Sequence, residues 1–186
     1  MLHKGSQVIQ TERLTLRPFR VSDAEEMFCG WANDGEVTRF LTWTPHGSIE
    51  ETRAFLLASE EGYKRADYYH WALEYEGGAI GDICVSSVDT HSQSGMLGYC
   101  MAKKFWGQGF MTETLKAVLK FCFEEVGFHR IYSVHSAQNP ASGRVMEKCG
   151  LKYEGTLRDG FKLHSTGEWT DIDVRAILKE DYLKSL

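Results

Sequence analysis

The sequence predicts a single α/β (α+β) domain in which a mixed β-sheet is covered by helices. Its 186 residues, 42% hydrophobic and 25% charged, are enough for one domain with a sizeable core and too few for two. The predicted elements follow an irregular order: a strand, helices, a run of antiparallel strands, and then strands alternating with helices. This order differs from a regularly alternating parallel fold. We expect one domain over residues 11–186 after a loose start at residues 1–10.

The first elements are one strand and two helices. Residues 13–19 (RLTLRPF) alternate leucine with polar residues, which predicts a strand. Ser22 and Glu25 form a capping-box pattern before an apolar segment, and Ser48 and Glu51 repeat it. A helix is therefore predicted to begin at each pair.

The middle of the chain predicts three strands and a helix. Two strand-like runs, YYHWALEY and AIGDICVSSV, are separated by Gly77-Gly78, a typical hairpin turn, and SGMLGYCMA is the third strand. The following segment places apolar residues from Met111 to Val126 on one helical stripe.

The remaining elements are three strands and a short helix. RIYSVHS predicts a strand, and NPASGRVMEKCG predicts a helix with Asn139 as N-cap, Pro140 in the first turn and Gly150 just after the end. LKYEGTLRDGFKL and EWTDIDVRAIL are the closing strands.

Two glycines precede the central helix, in the stretch KKFWGQGFMTETL. Glycine permits positive φ and close approach of a ligand, and the first N–H groups of a helix attract an anion. A pyrophosphate is therefore a candidate ligand, with Lys104 adding charge. A P-loop and a dinucleotide fingerprint both fit poorly, since no Lys-Ser/Thr follows and Thr112 occupies the third glycine position. A tight turn without a ligand is the alternative.

Four blocks, taken in order, resemble one family. Lys104, Gly107 and Gly109 are similar to the acyl-CoA signature of GNAT-superfamily N-acetyltransferases. GYCMAKKFWGQGFMTETL and AQNPASGRVMEKCGLKYEG resemble blocks of its RimJ/RimL branch, the ribosomal-protein-alanine acetyltransferase type. TERLTLRPF and TPHGSIEETRAFL match the opening of that branch, so the resemblance covers about residues 11–180.

The resemblance implies a GNAT fold, with six or seven strands flanked by helices and splayed between strands 4 and 5. It also implies acetyl-CoA as cofactor, with the pantetheine arm in the splay, the pyrophosphate on the glycine turn and an N–H near Met101 on the thioester carbonyl. The implied reaction is direct acetyl transfer to a primary amine, either a protein N-terminal α-amine or a small amine. The cofactor-binding residues implied are Met101, Lys104, Gly107, Gln108, Gly109, Phe110, Met111, Thr112, Asn139 and Ser142.

Asn139 and Ser142 each allow two interpretations. Asn139 is a helix cap, and in the family it contacts the pantetheine arm, which is compatible with capping. Ser142 is either a first-turn residue bonded to its own helix or, by resemblance, a thiolate stabiliser or relay near the cofactor sulfur. A serine hydroxyl is too weak an acid to be an obvious proton source.

The general base is not identified by any pattern. Family members often carry a glutamate early in the fourth strand, but residues 95–99 read GMLGY. Candidate catalytic substitutes are His135, on the strand before Asn139, and Asp159, after EGTLRD; His70 or an ordered water chain are further options. A packed histidine and a solvated loop acid are the alternatives. An α-amine, with a pKa of about 8, needs less help than a lysine at about 10.4.

Trp43 is the candidate substrate-binding residue. It lies in the loop FLTWTPHG, and loops often carry specificity. Core packing is the alternative for this and the other aromatic residues.

Charge and cysteine content restrict the partners. A net charge of −5 argues against a broad nucleic-acid surface and tolerates a cationic amine. Five cysteines without CxxC spacing argue against disulfides and a metal site, and predict small buried residues in a reducing compartment. The start of the chain has no signal-like core and no run of about 18 apolar residues occurs, so we expect a cytoplasmic protein without a membrane span.

A non-enzymatic alternative remains open at this stage. A catalytically weak acyl-CoA sensor or partner-binding module would explain the missing strand acid, whereas the intact Asn139 and Ser142 block favours an enzyme. The acceptor and the choice between monomer and homodimer are not given by the sequence.

Overall fold

One eight-stranded sheet organises residues 1–185, which the computed structural model describes. Its spatial order is β1-β2-β3-β4-β5-β6-β8-β7, and β5 and β6 form its parallel pair. The strands are β1 (Ile9–Gln10), β2 (Thr15–Arg17), β3 (Tyr69–Tyr75), β4 (Gly78–Asp89), β5 (Ser94–Met101), β6 (Arg130–Ser136), β7 (Lys152–Lys162) and β8 (Trp169–Leu178).

Helices cover both faces of the sheet. They are α1 (Ala24–Met27), α2 (Gly35–Thr38), α3 (Ile49–Gly62), α4 (Phe110–Lys120), α5 (Pro140–Lys148) and α6 (Lys179–Lys184). A 3₁₀ turn precedes α1, and π-helical segments extend α1 to Ala32 and α4 to Val126. Within residues 1–185, no helix combines the length and apolar character needed to cross a membrane.

The two faces have separate apolar cores because successive strand side chains point to opposite sides. On β3, Trp71 and Leu73 are fully buried in a cluster with Leu115 of α4. Ala72 belongs instead to a cluster with Leu56 of α3. We call these sides the α4–α5 face and the α1–α3 face.

β5 and β6 separate after Leu97. They pair only from Ser94 to Leu97, although β5 continues for four more residues. At the last pair the Ser133 hydroxyl donates to the Leu97 carbonyl, at 2.8 Å. This confirms the predicted splay, since these are the fourth and fifth of the seven strands that the sequence predicts.

The additional strand comes from the start of the chain. β1 pairs with β2, the Leu2 N–H donates to the Val126 carbonyl at 2.8 Å, and the Trp71 indole N–H donates to the Gln7 carbonyl at 2.7 Å.

The structure corrects two expectations. Residues 1–10 are not loose, and the sheet formed within residues 1–185 has eight strands rather than six or seven. Main-chain and side-chain contacts to distant parts of the chain hold this segment, among them His3 with the Tyr69 hydroxyl at 2.9 Å and the Lys4 ammonium with Glu125 at 2.5 Å, and such contacts leave no pattern in the sequence.

The predicted helix ends are mostly confirmed. Ser48 caps α3 by accepting the Glu51 N–H at 3.3 Å, and Gly150 follows α5 with φ 86°. Ser22 is wrong as a cap, because it is the Asp23 carboxylate that accepts the Arg20 N–H, at 2.8 Å.

The five cysteines are free thiols. Cys100, Cys122 and Cys149 are buried as predicted, and Cys84 is half-buried. Cys29 is exposed, so the prediction of burial is wrong there.

Candidate active site

The turn before α4 leaves main-chain donors unpaired. Gly107 and Gly109 have φ of 75° and 82°, in the left-handed region that favours glycine. The Glu113 N–H makes the first bond of the helix, to the Gly109 carbonyl at 3.0 Å. The N–H groups of the three intervening residues therefore lack a partner within the helix and point out of its positive end.

Arg13 places a guanidinium beside this turn. It donates to the Gln108 carbonyl at 3.0 Å and to the Glu113 carboxylate at 2.7 Å, and lies 4.1 Å from the centre of the Phe110 ring. Burial opposes ionisation of Glu113, but hydrogen bonds from Thr11 and Arg13 outweigh it and lower the pKa of that carboxyl. The turn is thus fixed by a charged contact that the sequence analysis missed.

Lys104 forms the outer rim of the turn. Its side chain is exposed, with the ammonium 4.9 Å from the centre of the Phe105 ring. Its carbonyl accepts the side-chain amide of Gln108 at 2.9 Å. Lys104 therefore carries an exposed cation on the segment that leads into the turn, and its contact with an anion stays a prediction.

β5 lines one side of the splay with main-chain groups. The Ala102 N–H bonds to the Ile80 carbonyl at 2.9 Å, so alternation turns the N–H groups of Tyr99 and Met101 away from β4 and toward the splay. The Met101 carbonyl accepts the Trp106 indole N–H at 2.7 Å. The role of the Met101 N–H at a thioester carbonyl stays a prediction.

Tyr99 and Ser142 connect the two sides of the splay. The Tyr99 hydroxyl lies 2.9 Å from the Ser142 hydroxyl and donates to the Ser142 carbonyl at 3.1 Å. Burial raises the pKa of Tyr99, so its phenol stays protonated and is able to donate. Asn139 caps α5 by accepting the Ser142 N–H at 3.3 Å. Three side chains thus meet at the splay, and the sequence analysis singled out two of them.

His135 lies between β6 and α5. Its Nδ1 is 2.9 Å from the Ser136 carbonyl, and its Nε2 is 4.0 Å from the Asp173 carboxylate. The ring packs so closely on Gly143 that a Cβ there would come within 2.6 Å of Nε2. The structure does not join His135 to Ser142 by a hydrogen bond, and its catalytic role stays a prediction.

Asp159 lies on the edge strand β7. It is exposed, in an irregular stretch with φ 48°, and its N–H donates to the Asp171 carboxylate at 2.9 Å. It makes no hydrogen bond to Ser142 or His135 within residues 1–185. Its role also stays a prediction.

Trp43 begins a row of rings on the α1–α3 face. Its ring centre lies 5.4 Å from that of His46, which is 6.1 Å from Phe55, which in turn is 5.8 Å from His70. Trp43 is half-buried and packs against the core of this face. The row gives this face an aromatic wall.

Cys100 has an acidic neighbour but is unsuited to attack. Its thiol donates to the Asp82 carboxylate at 3.0 Å. Burial, together with the charge of Asp82, raises the pKa of the thiol well above its ordinary value. Because the thiolate is the nucleophilic form, this arrangement disfavours an acyl-cysteine.

The comparisons with known proteins agree with this geometry. The family described as Acetyltransferase (GNAT) domain matches residues 13–152. The uncharacterized N-acetyltransferase YoaA of Bacillus subtilis (strain 168) is 29% identical over 174 residues, covering 92% of this chain and 97% of the relative. The ribosomal protein uS5-alanine N-acetyltransferase of Escherichia coli (strain K12) is 29% identical over 86 residues, 46% of this chain and 43% of the relative.

A solved structure supports the fold. RimL, a ribosomal L7/L12 alpha-N-protein acetyltransferase in complex with coenzyme A, has a TM-score of 0.84 and 20% identity, covering 92% of this chain and 98% of that protein.

Proposed function

The chain belongs to the GNAT family of N-acetyltransferases, and from this premise we propose that it moves an acetyl group from acetyl-CoA to a primary amine by direct attack in a ternary complex. The observation that carries the proposal is the divergence of β5 from β6 beside the glycine turn of α4. Such a gap accommodates a linear pantetheine arm between two strands, with an anion site at its end.

The residues at the turn fit the pyrophosphate of coenzyme A. Three unpaired N–H groups, Arg13 and Lys104 supply donors and positive charge, and positive φ at Gly107 and Gly109 allows close approach. Acetyl-CoA supplies the activated acetyl group when bound. The Met101 N–H, turned into the splay, would polarise the thioester carbonyl.

Tyr99 and Ser142 act on the leaving thiolate in this proposal. Both hydroxyls lie at the splay, 2.9 Å apart, and a thiolate formed there is within reach of two donors. The phenol is the stronger acid of the two, so we assign proton donation to Tyr99. Ser142, 2.9 Å from the phenol, orients it and returns to it the proton that the amine nitrogen loses after the C–N bond has formed.

The acceptor we propose is an α-amine, at a protein N-terminus or in a small molecule. An α-amine is partly neutral near pH 7, whereas a lysine amine is almost fully protonated. The relative that acetylates an alanine of ribosomal protein uS5 supports the protein N-terminus.

A product screen tests the function. The protein, acetyl-CoA and one amine at a time are incubated, thiol release is measured, and products are identified by mass spectrometry. The panel contains peptides that begin like ribosomal proteins, small amines, and a matched peptide with a blocked N-terminus and an internal lysine. We expect release with a free α-amine and little with the blocked peptide. Absence of release with every amine would instead favour an acyl-CoA sensor.

A further inference from the structure

The helices of the α1–α3 face pack against one half of the sheet. Residues of β3, β4 and β5 form the apolar core of this face, together with α1, α2, α3 and the π-helical segment after α1. In the part of the chain that the structure describes, β6, β7 and β8 contribute no residue to that core. We call the α1–α3 side of these three strands the uncovered half.

Alternation along β6 identifies the side chains that point to the uncovered half. Ile131 belongs to the core of the α4–α5 face, and the His135 ring packs on Gly143 of α5. Because successive side chains of a strand point to opposite faces, the even-numbered residues of β6 point the other way. Tyr132 and Val134 therefore lie on the uncovered half.

The uncovered half is apolar and uncharged beside the splay. Val134 is opposite Val174 of β8, and Ser136 is opposite Ile172, which in turn is opposite Leu157 of β7. Val134 and Leu157 are 37% and 57% exposed, and Val174 is half-buried. Contiguous apolar side chains that remain accessible on a folded protein indicate a binding surface.

The uncovered half begins where the splay begins. Val134 directly follows Ser133, which pairs with Leu97 in the last paired position of β5 and β6. Met101 therefore lies three strand positions beyond the level of Val134, roughly 10 Å at about 3.3 Å per residue. An extended chain whose amine is at a thioester near Met101 reaches Val134 with about its fourth residue.

A bridge of contacts crosses the ends of β5 and β6. Lys103, just after β5, forms an ion pair with Glu36 of α2. The Ser165 hydroxyl, in the β7–β8 loop, donates to the Arg39 carbonyl just after α2, at 3.1 Å. β8 follows that loop and pairs with β6 up to the last residue of β6. An acceptor chain that continued past the strand ends would have to cross this bridge, whereas the uncovered half is accessible.

We propose that the uncovered half binds the segment that follows the acceptor amine, and that Val134 and Val174 select uncharged, apolar side chains in that segment. The inference rests on the proposed function and narrows its acceptor to the N-terminus of a protein or peptide. A charged side chain placed over the two valines loses hydration without gaining a partner, whereas an apolar side chain gains by leaving water. Discrimination by an apolar surface of this kind is at least about tenfold.

Acetylation of matched peptides by the wild-type protein tests this selection. The peptides begin with alanine and differ at residues 3 and 4, which are both leucine, both glutamate or both arginine; arginine carries no second amine to acetylate. Alaninamide offers the same α-amine without a following segment. We expect kcat/KM for the leucine peptide to exceed the values for alaninamide and for both charged peptides at least tenfold.

Val134→Glu tests the surface, with Val8→Glu as the matched control. Val8 is also an exposed valine, at 59%, but it precedes β1 at the opposite edge of the sheet. We expect Val134→Glu to lower the ratio of kcat/KM for the leucine peptide to that for alaninamide about tenfold. The arginine peptide should become a better acceptor than the glutamate peptide, because the new carboxylate attracts one and repels the other. Val8→Glu should keep the wild-type order, and every Kd for acetyl-CoA should be unchanged.

Three results would overturn the inference while acetyl transfer stands. The first is a leucine peptide that reacts no faster with wild type than alaninamide or the charged peptides. The second is a loss in Val134→Glu that is equal for every acceptor, which a structural role alone produces. The third is a dimer, seen by light scattering, that Val134→Glu converts to monomer while the peptide order is kept, which would assign the uncovered half to a second copy.

The wild-type comparison decides by itself should Val134→Glu fail to fold. Failure of the proposed function is distinct, because wild type would then release no thiol with alaninamide or with any peptide.

Discussion

The Tyr99 hydroxyl on β5 contacts Ser142 on α5. A phenylalanine at this position removes that hydroxyl and nothing else. Tyr99→Phe keeps the ring and deletes the donor that we place at the leaving thiolate. We expect kcat to fall about 10- to 100-fold, because Ser142 remains as a weaker donor. The KM for acetyl-CoA should change little, since the turn of α4 is untouched. Steady-state rates with both substrates saturating provide the measurement.

Tyr153→Phe is the control for this variant. Tyr153 is exposed on β7, and its hydroxyl lies 2.7 Å from that of Thr156, so the same atom is lost away from the splay. Equal kcat values for wild type and Tyr99→Phe would remove Tyr99 from the mechanism and leave the donor role to Ser142.

Single residues also show what a sequence can predict about a site. Asn139 and Ser142 carry a local signature, since a cap and a first helical turn depend on neighbours in the chain. Tyr99 belongs to a segment that the sequence analysis placed beside the splay, but its partner is 43 residues away. Arg13 contacts a carbonyl 95 residues away. Pairings over such distances depend on the folded sheet and leave no periodic pattern.

The turn before α4 is an element whose conformation and proposed ligand can be tested separately. Gly109→Val places a β-branched residue at φ 82°, and its Cβ would lie 3.5 Å from the Arg13 guanidinium. We expect the affinity for acetyl-CoA to fall at least tenfold, because both the turn and the approach to its N–H groups change. Isothermal titration with acetyl-CoA and with coenzyme A measures this.

Gly77→Val separates strain from binding. Gly77 also has positive φ, 85°, but lies on the β3–β4 hairpin with open space around its Cβ position. Both variants carry about 1–3 kcal/mol of backbone strain. An equal loss of affinity in both would show that strain alone weakens binding, contrary to the proposed pyrophosphate turn.

At the scale of elements, the caps of α3 and α5 could be predicted because each has a local cause, whereas the splay was expected only from the resemblance to the family. The first helix could not be bounded correctly, because the residue that organises its first turn, Asp23, is fixed by a buried ion pair and not by the capping pattern alone. Asp23 is held by the Arg17 guanidinium at 2.8 Å, and Arg17 also pairs with Glu74 on β3. Ser22 fits the local pattern equally well but lacks this buried ion pair.

At the scale of the whole molecule, the first ten residues connect the sheet to the π-helical segment after α4. The sequence analysis expected these residues to be loose. The Leu2 N–H and the Lys4 ammonium contact the π-helical segment after α4, at Val126 and Glu125. The Gln7 carbonyl accepts from Trp71 at the centre of β3. This segment joins the sheet to the helix that follows the glycine turn. Polar residues without periodicity gave no signal for it, since the partners of its side chains, such as Tyr69 for His3 and Tyr68 for Ser6, lie 62 or more residues away.

Deleting residues 1–8 tests whether these contacts stabilise the folded protein. The Trp71 indole N–H then loses its acceptor in a fully buried position, which costs about 1–3 kcal/mol. For a chain of this size we expect the melting temperature to fall by about 2–12 °C. Gln7→Ala, which keeps the main-chain carbonyl, should melt like wild type. The Kd for acetyl-CoA should stay unchanged at 25 °C, because Arg13, not residues 1–8, fixes the turn. A truncated protein that melts like wild type, or that loses acetyl-CoA affinity while folded, would contradict this separation of roles.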